Sequence, residues 1–330
     1  MSAAAMSHSF PSYKSPVPRL QNGVFVAADS CHHDDADDRA QLNTLNSVAR
    51  EQGWRSGVSA AYDRELLHYV DNPDRLIFLS LLPLNPDDAI LEIGPGLGQI
   101  SIPLSRRVAT VDALEVVLGQ AEFCAERSRQ ESASNIRITA GGDKCDLPYA
   151  DASFNGVILN LVLEWCGWRA GGSHDAMHRK LLAEVARVLK PGGFFYLATK
   201  NRYSLRLLTG GLDEHMFQMR FGSALPRWLS RVALRGRRAP GHLHSYRELR
   251  RMLADAGFDR MDSYWATPEM RWPTHMLRFE SGDFARERRK VPQGENGRTR
   301  RIAACLPAAL IKHVAPGLAF LARKKAAATG

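Results

Sequence analysis

Leu91-Glu92-Ile93-Gly94-Pro95-Gly96-Leu97-Gly98-Gln99-Ile100 decides the fold. Its first three residues complete the apolar run Ala89–Ile93, with Pro86-Asp87-Asp88 before it and glycine after it, the pattern of a short strand buried on both faces. That strand runs directly into a glycine-rich turn and then into a helical stretch. Glycine in such a turn lets the backbone pass close to a bound molecule, because a β-carbon would occupy that space.

Outward from this point the chain alternates between strand and helix patterns, which predicts an α/β fold with a parallel sheet. Upstream, Asp63–Leu82 reads as helical. Downstream, strands are expected at Val108–Leu114, Ile136–Ala140 and Gly156–Leu161. Met177–Leu189 has apolar residues at helical intervals, and Lys190-Pro191-Gly192-Gly193 stops that helix before a fifth strand at Phe194–Ala198. Regular alternation then lapses until a helix at Ser245–Ala256, a strand at Arg260–Trp265 and a closing strand at Gly317–Arg323. The expected fold is a doubly wound, mostly parallel seven-stranded sheet with an inserted helical lid and an antiparallel C-terminal strand. The corresponding organisation is a flexible leader over 1–55, a cofactor-binding core over 56–202, an inserted lid-like segment over 203–241, and a C-terminal completion of the core over 242–330.

Glu115 lies about 20 residues beyond Gly94, at the end of the second strand, where a carboxylate can accept both hydroxyls of a ribose. Nicotinamide-dependent enzymes place their third glycine one position later, where this chain has Gln99, so the spacing favours a nucleoside cofactor without a pyrophosphate. Taken together, Glu92, Gly94-Pro95-Gly96-Leu97-Gly98 and Glu115 resemble class I (Rossmann-like) S-adenosylmethionine-dependent methyltransferases. Gly142-Asp143-Lys144, Asp151-Ala152-Ser153-Phe154-Asn155-Gly156-Val157 and Lys190-Pro191-Gly192-Gly193 extend the resemblance over residues 90–200. At the position of Asn155 the family more often has Asp. The resemblance implies S-adenosyl-L-methionine as cofactor, with contacts at Glu92, Gly94, Gly96, Gly98, Glu115, Asp143, Lys144 and Asn160. Asp143 is the candidate partner of the adenine amino group.

The cofactor's methyl group is already activated on a sulfonium, so the protein has chiefly to align an acceptor in line with the carbon–sulfur bond. A hydroxyl acceptor also profits from a general base. Glu164, after the fourth strand, and His244, before the helix at Ser245, are the candidates. Asn201, Arg202 and Tyr203 after the fifth strand, together with Tyr246, are candidate acceptor ligands. Leu159–Trp165, Asn201–Tyr203 and His244–Tyr246 look like bacterial methyltransferases associated with surface-glycan biosynthesis, which implies O-methylation of a sugar or related small acceptor. The alternatives are an RNA methyltransferase and a non-catalytic S-adenosylmethionine-binding regulatory protein.

The formal net charge of +9 favours an anionic partner, but much of the excess lies in residues 227–238 and 286–301, two separate stretches that read as solvated surface. No RNA-binding module and no Asn-Pro-Pro-Tyr-type motif for base amines is visible, so nucleic acid is not favoured. The five cysteines show no Cys-x-x-Cys spacing, so neither a disulfide framework nor a metal site is expected. Cys31-His32-His33-Asp34-Asp35 reads as a solvated polar segment. The most apolar long stretch, Pro307–Ala322, is broken by Lys312, His313 and Pro316, so no transmembrane span is expected. Met1–Leu20 lacks the apolar run of a secretory signal, which makes a cytoplasmic location the expectation.

Overall fold

The computed structural model describes residues 9–27, 36–167, 173–291 and 297–326; Cys31–Asp35 lies outside them. The chain divides into two compact units, one of residues 1–72, 83–158 and 187–193, the other of residues 73–82, 159–186 and 194–330. Among the described residues no helix is long and apolar enough to cross a membrane.

The first unit holds β1 (Arg19–Gln21), β2 (Val24–Val26), β3 (Ala89–Ile93), β4 (Thr110–Glu115), β5 (Ile136–Ala140) and the first part of β6 (Phe154–Asn160). The order is β1-β2-β5-β4-β3, with β2/β5, β5/β4 and β4/β3 parallel and β1 antiparallel to β2. All of β4 is buried, as expected of a parallel strand covered on both faces. One core cluster gathers Leu45, Trp54, Val58 and Phe123, and another Val24, Ala113 and Ile138. Gly57 lets helix Trp54–Ala61 approach helix Ala36–Gln52 closely, since a β-carbon there would stand 2.6 Å from the Leu45 carbonyl.

The stretch expected to form a leader carries β1, β2 and helix Ala36–Gln52. β1 and β2 form a two-residue hairpin at Asn22-Gly23, both left-handed at φ 51° and 79°. The residues before it are tied to β5. The Tyr13 hydroxyl meets Thr139 Oγ1 at 2.7 Å, and Arg137 donates to the Pro11 carbonyl at 2.6 Å with its guanidinium 4.2 Å above the Tyr13 ring. These anchors are polar and aromatic, so no hydrophobic periodicity announces them.

The second unit holds the end of β6, most of β7 (Leu189–Lys200), a separate hairpin of β8 (Leu212–Asp213) and β9 (Met219–Arg220), and β10 (Phe258–Thr267), β11 (His275–Arg278) and β12 (Gly317–Lys324). Its order is β7-β12-β10-β11, each pair antiparallel. Among the described residues the main sheet has ten strands rather than seven. The β1/β2 hairpin and β11 are the additions that hydrophobic periodicity did not signal, because each strand is short and partly or wholly exposed.

Two further expectations are corrected. Asp63–Leu82 is not one helix: Arg64–Asp71 is α-helical, capped by Asp63 accepting from the Leu66 amide at 2.8 Å, and Pro73–Ser80 is 3₁₀. Pro73 lacks the N–H that would continue the first helix. The inserted segment is only partly helical, with short helices at Leu205–Leu208 and Arg227–Ala233 and the β8/β9 hairpin between them.

Candidate functional site

In the first unit, β3 ends in the glycine turn, and the Gly94 amide donates to the Leu114 carbonyl at 2.8 Å, which fixes the turn against the end of β4. Gly94, Gly96 and Gly98 have φ of 74°, 56° and 79°, a conformation L side chains rarely adopt. Glu115 is buried at the end of β4. Its Oε2 accepts from the Gly96 amide at 3.1 Å and its Oε1 from the Val117 amide at 3.2 Å. Burial pushes this carboxyl up from its ordinary value, while the Val117 and Gly96 amides pull it down.

The Val116 amide also bonds the carboxylate, which leaves about one of its four lone-pair sites for a ligand hydroxyl. A β-carbon at Gly96 would lie in contact with the Gln99 side-chain amide, at 3.4 and 3.6 Å, so a flexible side chain rather than backbone covers that face of the turn. Gly98 does a different job, because its β-carbon would press on Cys124 Sγ at 3.1 Å. Glu92 accepts from the Ser101 hydroxyl, bracing β3 against the helix that follows. The Gly141 amide donates to the Glu115 carbonyl at 2.9 Å, bringing the turn of Asp143 and Lys144 beside Glu115. Asp143 is half-buried there and Lys144 is exposed. A left-handed glycine turn beside a buried carboxylate fits the ribose and amino-acid parts of S-adenosylmethionine. Asn155 also has a local explanation: its Oδ1 accepts from the Ala89 amide at 3.1 Å and from Lys190 Nζ at 2.8 Å.

In the second unit, Asn160 ends β6 half-buried. Glu164 sits in the 3₁₀ turn Leu163–Trp165 at 1% exposure, accepting from the Thr199 hydroxyl at 2.7 Å, while its backbone carbonyl accepts from the His242 amide at 2.8 Å. His244 is 2% exposed. Its Nε2 lies 2.8 Å from His178 Nδ1, and its Nδ1 3.7 Å from Asp175 Oδ1. Burial pushes His244 down to about 3, so the ring is neutral near neutral pH but walled in by its partners.

The candidate acceptor ligands are mostly committed to internal bonds. Asn201 is buried and donates to the His313 and Ala315 carbonyls, both at 3.0 Å. Arg202 donates to the Ser223 and Leu225 carbonyls at 2.8 and 3.0 Å. Tyr246 lies inside the core, stacked on Phe320, with its hydroxyl 3.2 Å from Ser263 Oγ. Tyr203 is half-buried.

The structure also gathers residues that sequence reasoning passed over. His174 and His178 stand one turn apart on helix His174–Val188, and His174 stacks on His242 at 5.4 Å. Asp175 Oδ1 lies 3.2 Å from His242 Nε2, and the His242 hydrogen bond holds the Asp175 carboxyl well below its ordinary range. The spacings His174-Asp175-x-x-His178 and His242-x-His244 were available signals. Asp175, His242 and His244 place their ligand atoms within 4.8 Å of one another, a grouping that could hold a metal ion where none was expected. Arg227 Nη1, 2.5 Å from His242 Nε2, puts a fixed positive charge there that opposes a cation.

Residues 91–197 match the family described as a methyltransferase domain. The chain is 34% identical over 122 residues to the biotin biosynthesis bifunctional protein BioHC of Cellvibrio japonicus (strain Ueda107), covering 37% of this chain and 22% of that protein. It is 30% identical over 152 residues to the malonyl-[acyl-carrier protein] O-methyltransferase of Marinomonas sp. (strain MWYL1), covering 44% of this chain and 53% of that one. The chain thus spans about half or less of the length of these curated relatives. In fold it is similar to the [4+2]-cyclase SpnF, with a TM-score of 0.50 and 18% identity over 90% of this chain and 98% of that one. The match to a methyltransferase domain thus extends over about a third of the chain, from the strand before the glycine turn to the fifth predicted strand.

Proposed function

We propose that the chain as a whole transfers a methyl group from S-adenosylmethionine to an oxygen of a small acceptor, by direct in-line displacement. The observation that carries this reading is Glu115, buried at the end of β4 beside the glycine turn and bonded to its Gly96 amide. Glu115 would hold the ribose hydroxyls, Gly94 and Gly96 would leave room for the amino-acid half, and Asp143 would accept from the adenine amino group. The bound cofactor supplies the activated methyl group. The chain's own residues have to orient the acceptor and, for a hydroxyl, take up its proton. Glu164 is the candidate base, its carboxylate oriented by the Thr199 hydroxyl.

A sugar hydroxyl was the acceptor expected from sequence, and it stays a candidate. Its support is reduced by Asn201, Arg202 and Tyr246, whose polar atoms are engaged within the second unit. A carboxylate acceptor is the second candidate, favoured by the likeness to a malonyl-[acyl-carrier protein] O-methyltransferase. It needs no general base, because a carboxylate is already the nucleophile.

Purified chain incubated with methyl-labelled S-adenosylmethionine and a cell extract, separated into glycan, lipid, RNA, protein and small-molecule fractions, tests the reading. Label in the small-molecule, lipid or glycan fraction supports it, and base-labile label marks a methyl ester. Label in RNA alone would support the RNA methyltransferase alternative. Cofactor binding without transfer to any fraction would favour a regulatory binding protein.

A further inference from the structure

The second unit contains a cavity of about 240 Å³ whose wall brings together Arg227, Arg231, Arg237, Arg238, His174 and His242. Four guanidiniums face one carboxylate, Asp175, which is already taken up by His242 and Arg227. Arg231 and Arg237 have no ion pair among the described residues. Arg238 is held in place by the Gly167 carbonyl at 2.7 Å and Arg227 by Glu248 at 3.3 Å, so part of the wall is fixed before any ligand arrives. Such a concentration of guanidiniums is costly without an anion, and planar forked donors match phosphoryl oxygens in particular.

The same segment exposes apolar side chains. Trp228 and Val232 stand one turn apart on helix Arg227–Ala233, at 67% and 66% exposure. Phe217 and Phe221 are also exposed, both in left-handed backbone at φ 51° and 61°. A bulky non-glycine residue in that conformation is strained, and such strain collects at functional sites. The Arg237 guanidinium lies 4.3 Å from the centre of the Phe217 ring, joining the charged wall to the aromatic surface.

We propose that this cavity binds the phosphoryl group of an amphiphilic acceptor, whose apolar part lies along Phe217, Phe221 and Trp228. The proposal deepens the reading of the chain as a methyltransferase by naming the class of its acceptor. Binding is measured without S-adenosylmethionine, so it fails or stands independently of that reading.

Inorganic pyrophosphate, octyl phosphate and octanol are titrated separately into the full-length protein by calorimetry, with the exposed Trp228 as a fluorescence reporter. Octyl phosphate is expected to bind one-to-one, at least tenfold tighter than pyrophosphate and than octanol. R231A/R237A should weaken octyl phosphate at least tenfold while R231K/R237K retains most of the affinity. Both arginines are exposed, so the variants should fold, and an unchanged melting temperature checks this. Equal affinity in wild type and R231A/R237A, or no binding of either anion, would overturn the proposal. Pyrophosphate as tight as octyl phosphate would overturn its amphiphilic part. Tight Zn²⁺ binding that excludes both anions would assign Asp175, His242 and His244 to a metal instead.

Discussion

Glu115 and Asp112 lie on the same strand, and burial raises the carboxyl of each for different ends. Glu115 sets its carboxylate against the glycine turn, so Glu115→Ala should weaken S-adenosylmethionine binding by about 1 to 3 kcal/mol, the range for a lost hydrogen bond to a charged group. Calorimetry on a variant with a native circular-dichroism spectrum checks this, and unchanged affinity would remove Glu115 from the site. Asp112 is structural: Arg137 Nε donates to it at 2.5 Å, and burial still pushes it up to about 7. An acid raised in the folded state stabilises fully below its unfolded value near 4, and that contribution is lost as pH rises through 7. Asp112→Asn cannot ionise. The denaturation midpoint of the natural protein should therefore fall relative to that of the variant between pH 4 and 7, and a constant difference would contradict the assignment.

At the scale of elements, legibility followed length and burial. The extents expected for β3 and β5 match those observed, because β3 is a nearly continuous apolar run and β5 alternates apolar with polar residues, each bounded by polar or glycine residues. Helix Ser245–Ala256 was equally visible, and Ser245 with Glu248 forms a capping box in the structure. The β1/β2 hairpin was missed although Asn22-Gly23 is a strong hairpin signal, since three-residue strands give no alternation to read. Helices Ala36–Gln52 and Trp54–Ala61 were hidden by their polar composition, yet they pack through Leu45, Trp54 and Val58. Gly57 marks that contact: Gly57→Ala should destabilise the protein by roughly 1 to 3 kcal/mol through overpacking. A shift of the urea midpoint to lower concentration is the expected result, and an unchanged or raised midpoint would show that the two helices can separate freely.

At the scale of the whole molecule, the candidate cofactor site was legible because its residues lie within one βαβ-like stretch, where spacing alone sets Glu115 against the glycine turn. The acceptor side was not. His174, His178, His242 and His244 meet only after the chain has folded back across 64 or more residues, and nothing in Asn201, Arg202 or Tyr246 told from sequence that their polar atoms would turn inward. Fold likeness cannot fill this gap, since the similar SpnF structure is described as a cyclase. The cofactor therefore bears most on what the chain does. Isothermal titration of the full-length protein with S-adenosylmethionine, and separately with NAD, is the most direct measurement. One-to-one binding of S-adenosylmethionine, weakened in Glu115→Ala, with no detectable binding of NAD, is the expected result; binding of NAD without binding of S-adenosylmethionine would contradict it.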